Sequence, residues 1–144
     1  MGHRELDNLV RIGQLKAEPG MTLEIEGLIR SGMVRLRDAE KSTLSRESRF
    51  DLAYNAAHAL SLAALRWHGY RSENRYVVFQ CLQHTLQIAP EQWRVLDQAH
   101  RKRNLAEYEG DVEIDDALLA ALLRVAAEVS RRAQQLGPVG ASQR

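Results

Sequence analysis

Cysteine is nearly absent: Cys81 stands alone among 144 residues. This excludes an internal disulfide and any zinc site built on several thiolates. Proline (3) and glycine (9) are scarce, so little interrupts helical stretches, and no glycine-rich phosphate loop is present. An excess of one charge is also missing. Twenty Lys and Arg against nineteen Asp and Glu leave a formal charge of +1, so no global field drives the chain onto DNA or an anionic membrane. No apolar run reaches the length of a membrane span, and the start Met1-Gly2-His3-Arg4 lacks the basic-then-apolar order of a signal peptide. What is present is an ordinary globular mixture, 44% hydrophobic and 27% charged, at a length that buries a sufficient core without a metal. These features predict one soluble domain in the reducing cytoplasm, with no cofactor, no metal and no membrane partner.

Helix formers dominate, and the breaks fall at Pro19-Gly20, Gly69, Pro90, Gly110 and Gly137-Pro138. The apolar spacing between them predicts helices over 4–16, 22–41, 46–68, 72–87, 90–107 and 115–136. The segment 46–68 carries the strongest pattern, with Leu52, Ala53, Ala56, Ala57, Leu60, Ala63, Ala64 and Trp67 at spacings of three and four. Its alanines let a neighbouring helix approach closely. Ser45 or Ser48 suits its N-cap, Gly69 its stop, and Pro90 the first turn of a later helix. Nothing reads as a convincing strand. The expected fold is all-α: an antiparallel bundle of four to five main helices. Residues 1–20 would form a short helix and linker, 21–136 the bundle, and 137–144 a flexible tail.

The segment His100-Arg101-Lys102-Arg103-Asn104-Leu105-Ala106-Glu107-Tyr108-Glu109-Gly110 holds three consecutive cations. An acidic stretch follows, including Asp111, Glu113, Asp115 and Asp116, without a calcium-loop pattern. Spacing alone gives a simple reading, in which Arg101 to Arg103 complement the exposed carbonyls of one helix end and Asp115 or Asp116 caps the next helix.

Two runs carry a resemblance. Arg49-Phe50-Asp51-Leu52-Ala53-Tyr54-Asn55-Ala56-Ala57-His58 resembles the alanine-rich core helix of the HEPN superfamily, small helical domains of prokaryotic toxins, defence systems and their partners. Arg103-Asn104-Leu105-Ala106-Glu107-Tyr108 resembles that family's arginine-polar signature, which lies where a helix runs into a loop. The likeness spans about residues 24–132. It implies a HEPN-like bundle, a homodimer with a shared groove, RNA or nucleotide as ligand, and a toxin–antitoxin or defence setting beside a nucleotidyltransferase-type partner protein. In active members an arginine and a histidine four to six residues later cleave RNA without a metal. Carried onto this chain, Arg103 holds phosphate and Asn104 is its polar neighbour, while Tyr108 takes the histidine's position. No histidine follows His100. A phenol near its usual pKa of about 10 is a poor general base at neutral pH, so a ribonuclease site would be altered or degenerate. The resemblance also puts Asp51 or Asn55 near Arg103 as an orienting or phosphate-side residue.

Other readings stand beside this one. Asp51, Asn55 and His58 form one polar stripe, which also fits a solvated helix face. His58 suits a packing role. His100 shares a helical face with Arg103 and could supply a proton from the N-terminal side, against the family's order. His68 and His84 lack ligand spacing, and Cys81 fits a core position. Trp67, Tyr70 and Tyr76 could stack bases, but packing suits them better. The functional rival is a non-catalytic helical interaction module in which Arg103 to Tyr108 only build an interface or cap a helix. A DNA-binding helix-turn-helix in the first forty residues lacks a concentrated basic recognition helix.

Overall fold

A computed structural model describes residues 3–110 and 113–139. Along the chain run α1 (His3–Arg11), β1 (Lys16–Ala17), α2 (Thr22–Ala39), α3 (Arg46–Trp67), β2 (Tyr70–Arg71), α4 (Arg75–Gln80), α5 (Leu82–Thr85), α6 (Pro90–Glu109) and α7 (Asp116–Gln134). The fold is all-α apart from one two-residue strand pair among the described residues. Among those residues, no helix is long and apolar enough to cross a membrane.

The central element is α3, because its small residues admit neighbours on several sides. Ala53, Ala56, Ala57 and Ala64 are fully buried in one core with Leu60, Phe79, Leu82, Leu96, Leu122, Ala126 and Val129. Against α2 the approach is closer still: a Cβ on Gly32 would lie 2.5 Å from Leu60 Cγ. Ser45 caps α3 by accepting the Ser48 N–H at 3.0 Å, and Pro90 opens α6 where its missing N–H costs nothing. Asp115 caps α7 by accepting from Leu118 N at 2.6 Å.

Three differences from the periodic pattern have local causes. First, the short N-terminal helix and the segment after it pack onto the bundle. Leu6 and Leu15 join Leu65, Tyr70, Val77, Val78 and Cys81 in a second core, and β1 pairs antiparallel with β2 in the register Lys16↔Arg71. Two residues of pairing are too few to leave an alternation in the sequence. Second, the single helix expected over 72–87 divides at Cys81. Asn74 caps α4 through the Val77 N–H, and the positive φ of Gln87 (54°) ends the run before Pro90. Arg132 donates to the carbonyls of Leu86 and Gln87 at 2.8 and 2.7 Å, satisfying groups this turn strands. Third, residues 137–139 of the expected flexible tail are held. Trp67 Nε1 donates to the Gly137 carbonyl at 2.8 Å, and Val139 packs against the core around Trp67. Residues 140–144 of that tail lie outside the described residues, as does Asp111 of the acidic stretch.

Candidate functional site

The polar stripe of α3 turns toward α4 and α6. Asp51 Oδ1 accepts from Arg103 Nη1 at 3.3 Å. Asn55 donates from Nδ2 to the Asp51 carbonyl at 2.9 Å and accepts from Arg75 Nη1 at 3.1 Å. Between them lies Tyr54, only 1% exposed. The guanidinium carbons of Arg75 and Arg103 stand 5.3 and 5.4 Å from its ring centroid, a cation–π distance. Its hydroxyl is 2.8 Å from His100 Nδ1. The other nitrogen of His100, Nε2, is 3.3 Å from Asn104 Nδ2. Phe79 of α4 forms the floor, edge-on to Tyr54, His58 and His100.

Electrostatics follow from this packing. Burial pushes the His58 imidazole down to about 4, helped by repulsion from Arg75 and His100. Burial also lowers His100; Asp97 opposes that shift and Arg75 adds to it. Both imidazoles are therefore neutral at pH 7. The fixed charges are the guanidiniums of Arg75, Arg101 and Arg103 and the carboxylates of Asp51 and Asp97. Among the described residues no ion pair holds Arg75. The cluster thus carries a net positive charge, in forks suited to the oxygens of a phosphate. Beside it, Asp51, Lys102, Arg103, Ala106 and Ile114 help line an open cleft of about 260 Å³.

Asp51, Asn55, Arg103 and Asn104 are thus brought together, but Tyr108 is not. It is 89% exposed. The helix expected over 90–107 runs two residues further, because α6 continues to Glu109 and stops at Gly110, whose φ is +81°. Five residues along a helix turn about 500°, so Tyr108 leaves the face of Arg103 by about 140°. The same continuation removes Arg101–Arg103 from the helix end. Arg101 pairs instead with Asp97 at 3.0 Å, and Lys102 Nζ reaches the Glu113 carbonyl at 3.4 Å.

Tyr54 and Arg75 were not singled out as site residues from the sequence. Tyr54 was hidden because an aromatic in an alanine-rich helix reads as packing. Arg75 lies in a short helix whose register nothing upstream specifies. The histidine link had a signal: His100, Arg103 and Asn104 occupy i, i+3 and i+4 of one face. Elsewhere, Cys81 is fully buried and its thiol is pushed up to about 12 by burial. Trp67 and Tyr70 are buried, so they offer no stacking surface; only Tyr76 is exposed, edge-on to Trp93. Among the described residues, no three His, Cys, Asp or Glu side chains converge as a metal site would require. In comparisons with protein-family models, curated proteins and solved structures, nothing matches the chain.

Proposed function

We propose that this chain is a HEPN-like protein that binds the phosphates of RNA or of a nucleotide at the cluster between α3, α4 and α6, in a groove shared with a second copy. The observation that carries the reading is the convergence of Arg75 and Arg103 on the Tyr54 ring, with Asp51 paired to Arg103 alone. A surplus guanidinium at a half-open surface attracts an anion, and its planar fork favours a phosphate over a spherical ion. In this reading the protein belongs to a toxin–antitoxin or defence system, with a ribonuclease site that differs from the family's because Tyr108 stands where the histidine would be.

The rival reading, a non-catalytic interaction module for a nucleotidyltransferase-type or other partner, draws on a different feature. Leu105 and Tyr108 leave the last turns of α6 with exposed apolar surface, as partner-binding helices do. One titration separates the two. A labelled single-stranded RNA oligonucleotide, or a nucleoside triphosphate, is titrated with the wild type and with Arg103→Ala. Phosphate binding predicts an affinity loss of about 10–150-fold, matching about 1.5–3 kcal/mol for a hydrogen bond to a charged group, with an unchanged mass near twice 16.3 kDa by light scattering. Wild type that binds neither ligand, together with a dimer split by Leu105→Glu, gives the interaction module.

A further inference from the structure

We infer that a second copy of the chain docks along the exposed face of α6, antiparallel to it, with Leu105 on the two-fold axis. The inference names the surface that brings in the second copy of the reading above, and it holds whatever ligand that copy helps to bind. Positions 98, 101, 102, 105, 108 and 109 lie within about 60° of Leu105 around the helix. Gln98, Arg101, Lys102, Leu105, Tyr108 and Glu109 therefore form one face of α6. Its apolar surface is uncovered, with Leu105 49% and Tyr108 89% exposed. Beside Leu105 an open hollow of about 430 Å³ extends to Leu118 of α7. Exposed apolar side chains inside a charged rim mark a protein-binding surface.

The charges of the face identify its occupant. Arg101 and Lys102 precede Leu105, and Glu109 follows it. Among the described residues no cation pairs with Glu109, and Lys102 Nζ has only the Glu113 carbonyl, at 3.4 Å. A helix divided in this way complements itself when turned end for end. Lys102 and Glu109 lie on one side of Leu105, about 60° and 40° round the helix; Arg101 and Tyr108 lie on the other, about 40° and 60° round. A two-fold axis perpendicular to the seam leaves each side facing its own kind. Lys102 then meets Glu109 of the second copy, and Leu105 packs on its own counterpart. Arg101, which keeps Asp97 at 3.0 Å, lies against the Tyr108 ring of the second copy, a cation–π pairing. Each of these two cross pairs occurs twice. A parallel arrangement would instead set Lys102 on Lys102 and Glu109 on Glu109.

The same rotation places the cation clusters. Asn104, and then His100, follow the Arg101 and Tyr108 side of α6 round the helix, so the clusters of both copies open on one side of the seam. Tyr108 is thus an interface anchor.

The test is sedimentation equilibrium of the full chain over a concentration series. Wild type should associate to twice 16.3 kDa. Lys102→Glu and Glu109→Lys each convert two attractive pairs into two repulsive ones, which raises the dimer Kd by about 10–100-fold. Mixed in equal amounts, the two variants should form a dimer near wild-type affinity, because opposite charges then meet at both pairs. Leu105→Cys should cross-link to its copy under mild oxidation, and the buried Cys81 does not compete. If either charge variant loses its helical circular dichroism, the cross-link decides. A wild type that stays monomeric at every concentration overturns the inference and leaves the face to a different protein. A dimer that neither charge variant weakens, or a Leu105→Cys dimer that does not cross-link, places the interface elsewhere and also overturns it. A dimer that obeys the charge exchange but binds neither RNA nor nucleotide keeps this interface while the phosphate reading fails. A monomer that binds them does the reverse.

Discussion

The two ends of α3 treat arginine in opposite ways. Near the C-terminal end, Arg66 is 2% exposed and every direction of its guanidinium is occupied. It meets Glu24 at 3.1 and 3.2 Å and Glu18 at 3.2 Å. It also donates to the carbonyls of Glu18, Pro19 and Tyr70. Near the N-terminal end, Arg103 from α6 has one carboxylate, Asp51, at 3.3 Å and the face of Tyr54. A saturated guanidinium is a rivet: it ties the β1–α2 connection to α3 and has no donor left for a ligand. An undersaturated one can exchange partners. Residue type is the same at both places, and the number of donors already used separates an arginine locked in place from one that can exchange partners.

The contrast is broken most severely at Arg66. Arg66→Ala leaves the carbonyls of Glu18, Pro19 and Tyr70 and the Glu24 carboxylate without this donor, while Glu18 keeps Arg71 at 3.1 Å. At about 1–3 kcal/mol for each buried acceptor left unpaired, a urea melt should show a loss of about 3–5 kcal/mol. Arg66→Lys should recover only part, since a single ammonium cannot reproduce the fork. Nucleic-acid binding by the folded fraction should be unaffected. Stability equal to wild type in Arg66→Ala would mean that the rivet holds nothing.

Acid separates the two ends next. His58 has its folded pKa depressed to about 4 from the usual 6.5. The unfolded chain therefore binds the proton first, and the stability this histidine contributes is complete above about pH 6.5 and lost as pH falls toward 4. The drop should reach about 3 kcal/mol, and His58→Leu should flatten it. Glu24, held below the usual carboxylate range by Arg66, contributes stability that fades only at lower pH, as acid reaches its folded pKa. A melt series with no slope between pH 6.5 and 4 would show that His58 is not buried neutral.

A packing change should be smaller. Gly32→Ala forces a methyl group against Leu60, costing about 1–3 kcal/mol of overpacking, offset by about 1 kcal/mol of helix propensity. Neutral stability would show that α2 can slide on α3.

Much of this fold could be read from spacing. The alanines of α3 at three and four, the Ser45 cap, Pro90 and the leucines of α7 each repeat a local rule, and the structure follows them. The strand pair at Lys16–Ala17 and the anchoring of Trp67 on Gly137 are long-range, and no window of neighbouring residues contains them. The site divides in the same way. The resemblance implies that Asp51 or Asn55 lies near Arg103; Asp51 meets it at 3.3 Å, and Asn55 meets Arg75 instead. Tyr54, Arg75 and the inward turn of His100 depend on where α4 settles, and its six residues carry too little periodicity to fix that. Tyr108 points away from Arg103 because five residues along a helix do not return to the same face.

The smallest stability effect belongs to the open arginine, and it is the one that tests the central contrast. Arg103→Ala removes a half-exposed ion pair worth less than about 1 kcal/mol. Thermal melts of wild type and Arg103→Ala, each with and without a single-stranded RNA oligonucleotide, read stability and ligand binding in one experiment, because a ligand that binds only the folded state raises Tm by mass action. The expected result is two nearly equal melting temperatures without RNA, and a rise on adding RNA in the wild type alone. An Arg103→Ala protein that melts far below wild type without RNA, or a wild type that RNA leaves unmoved, would contradict the claim that this arginine is held open for a phosphate.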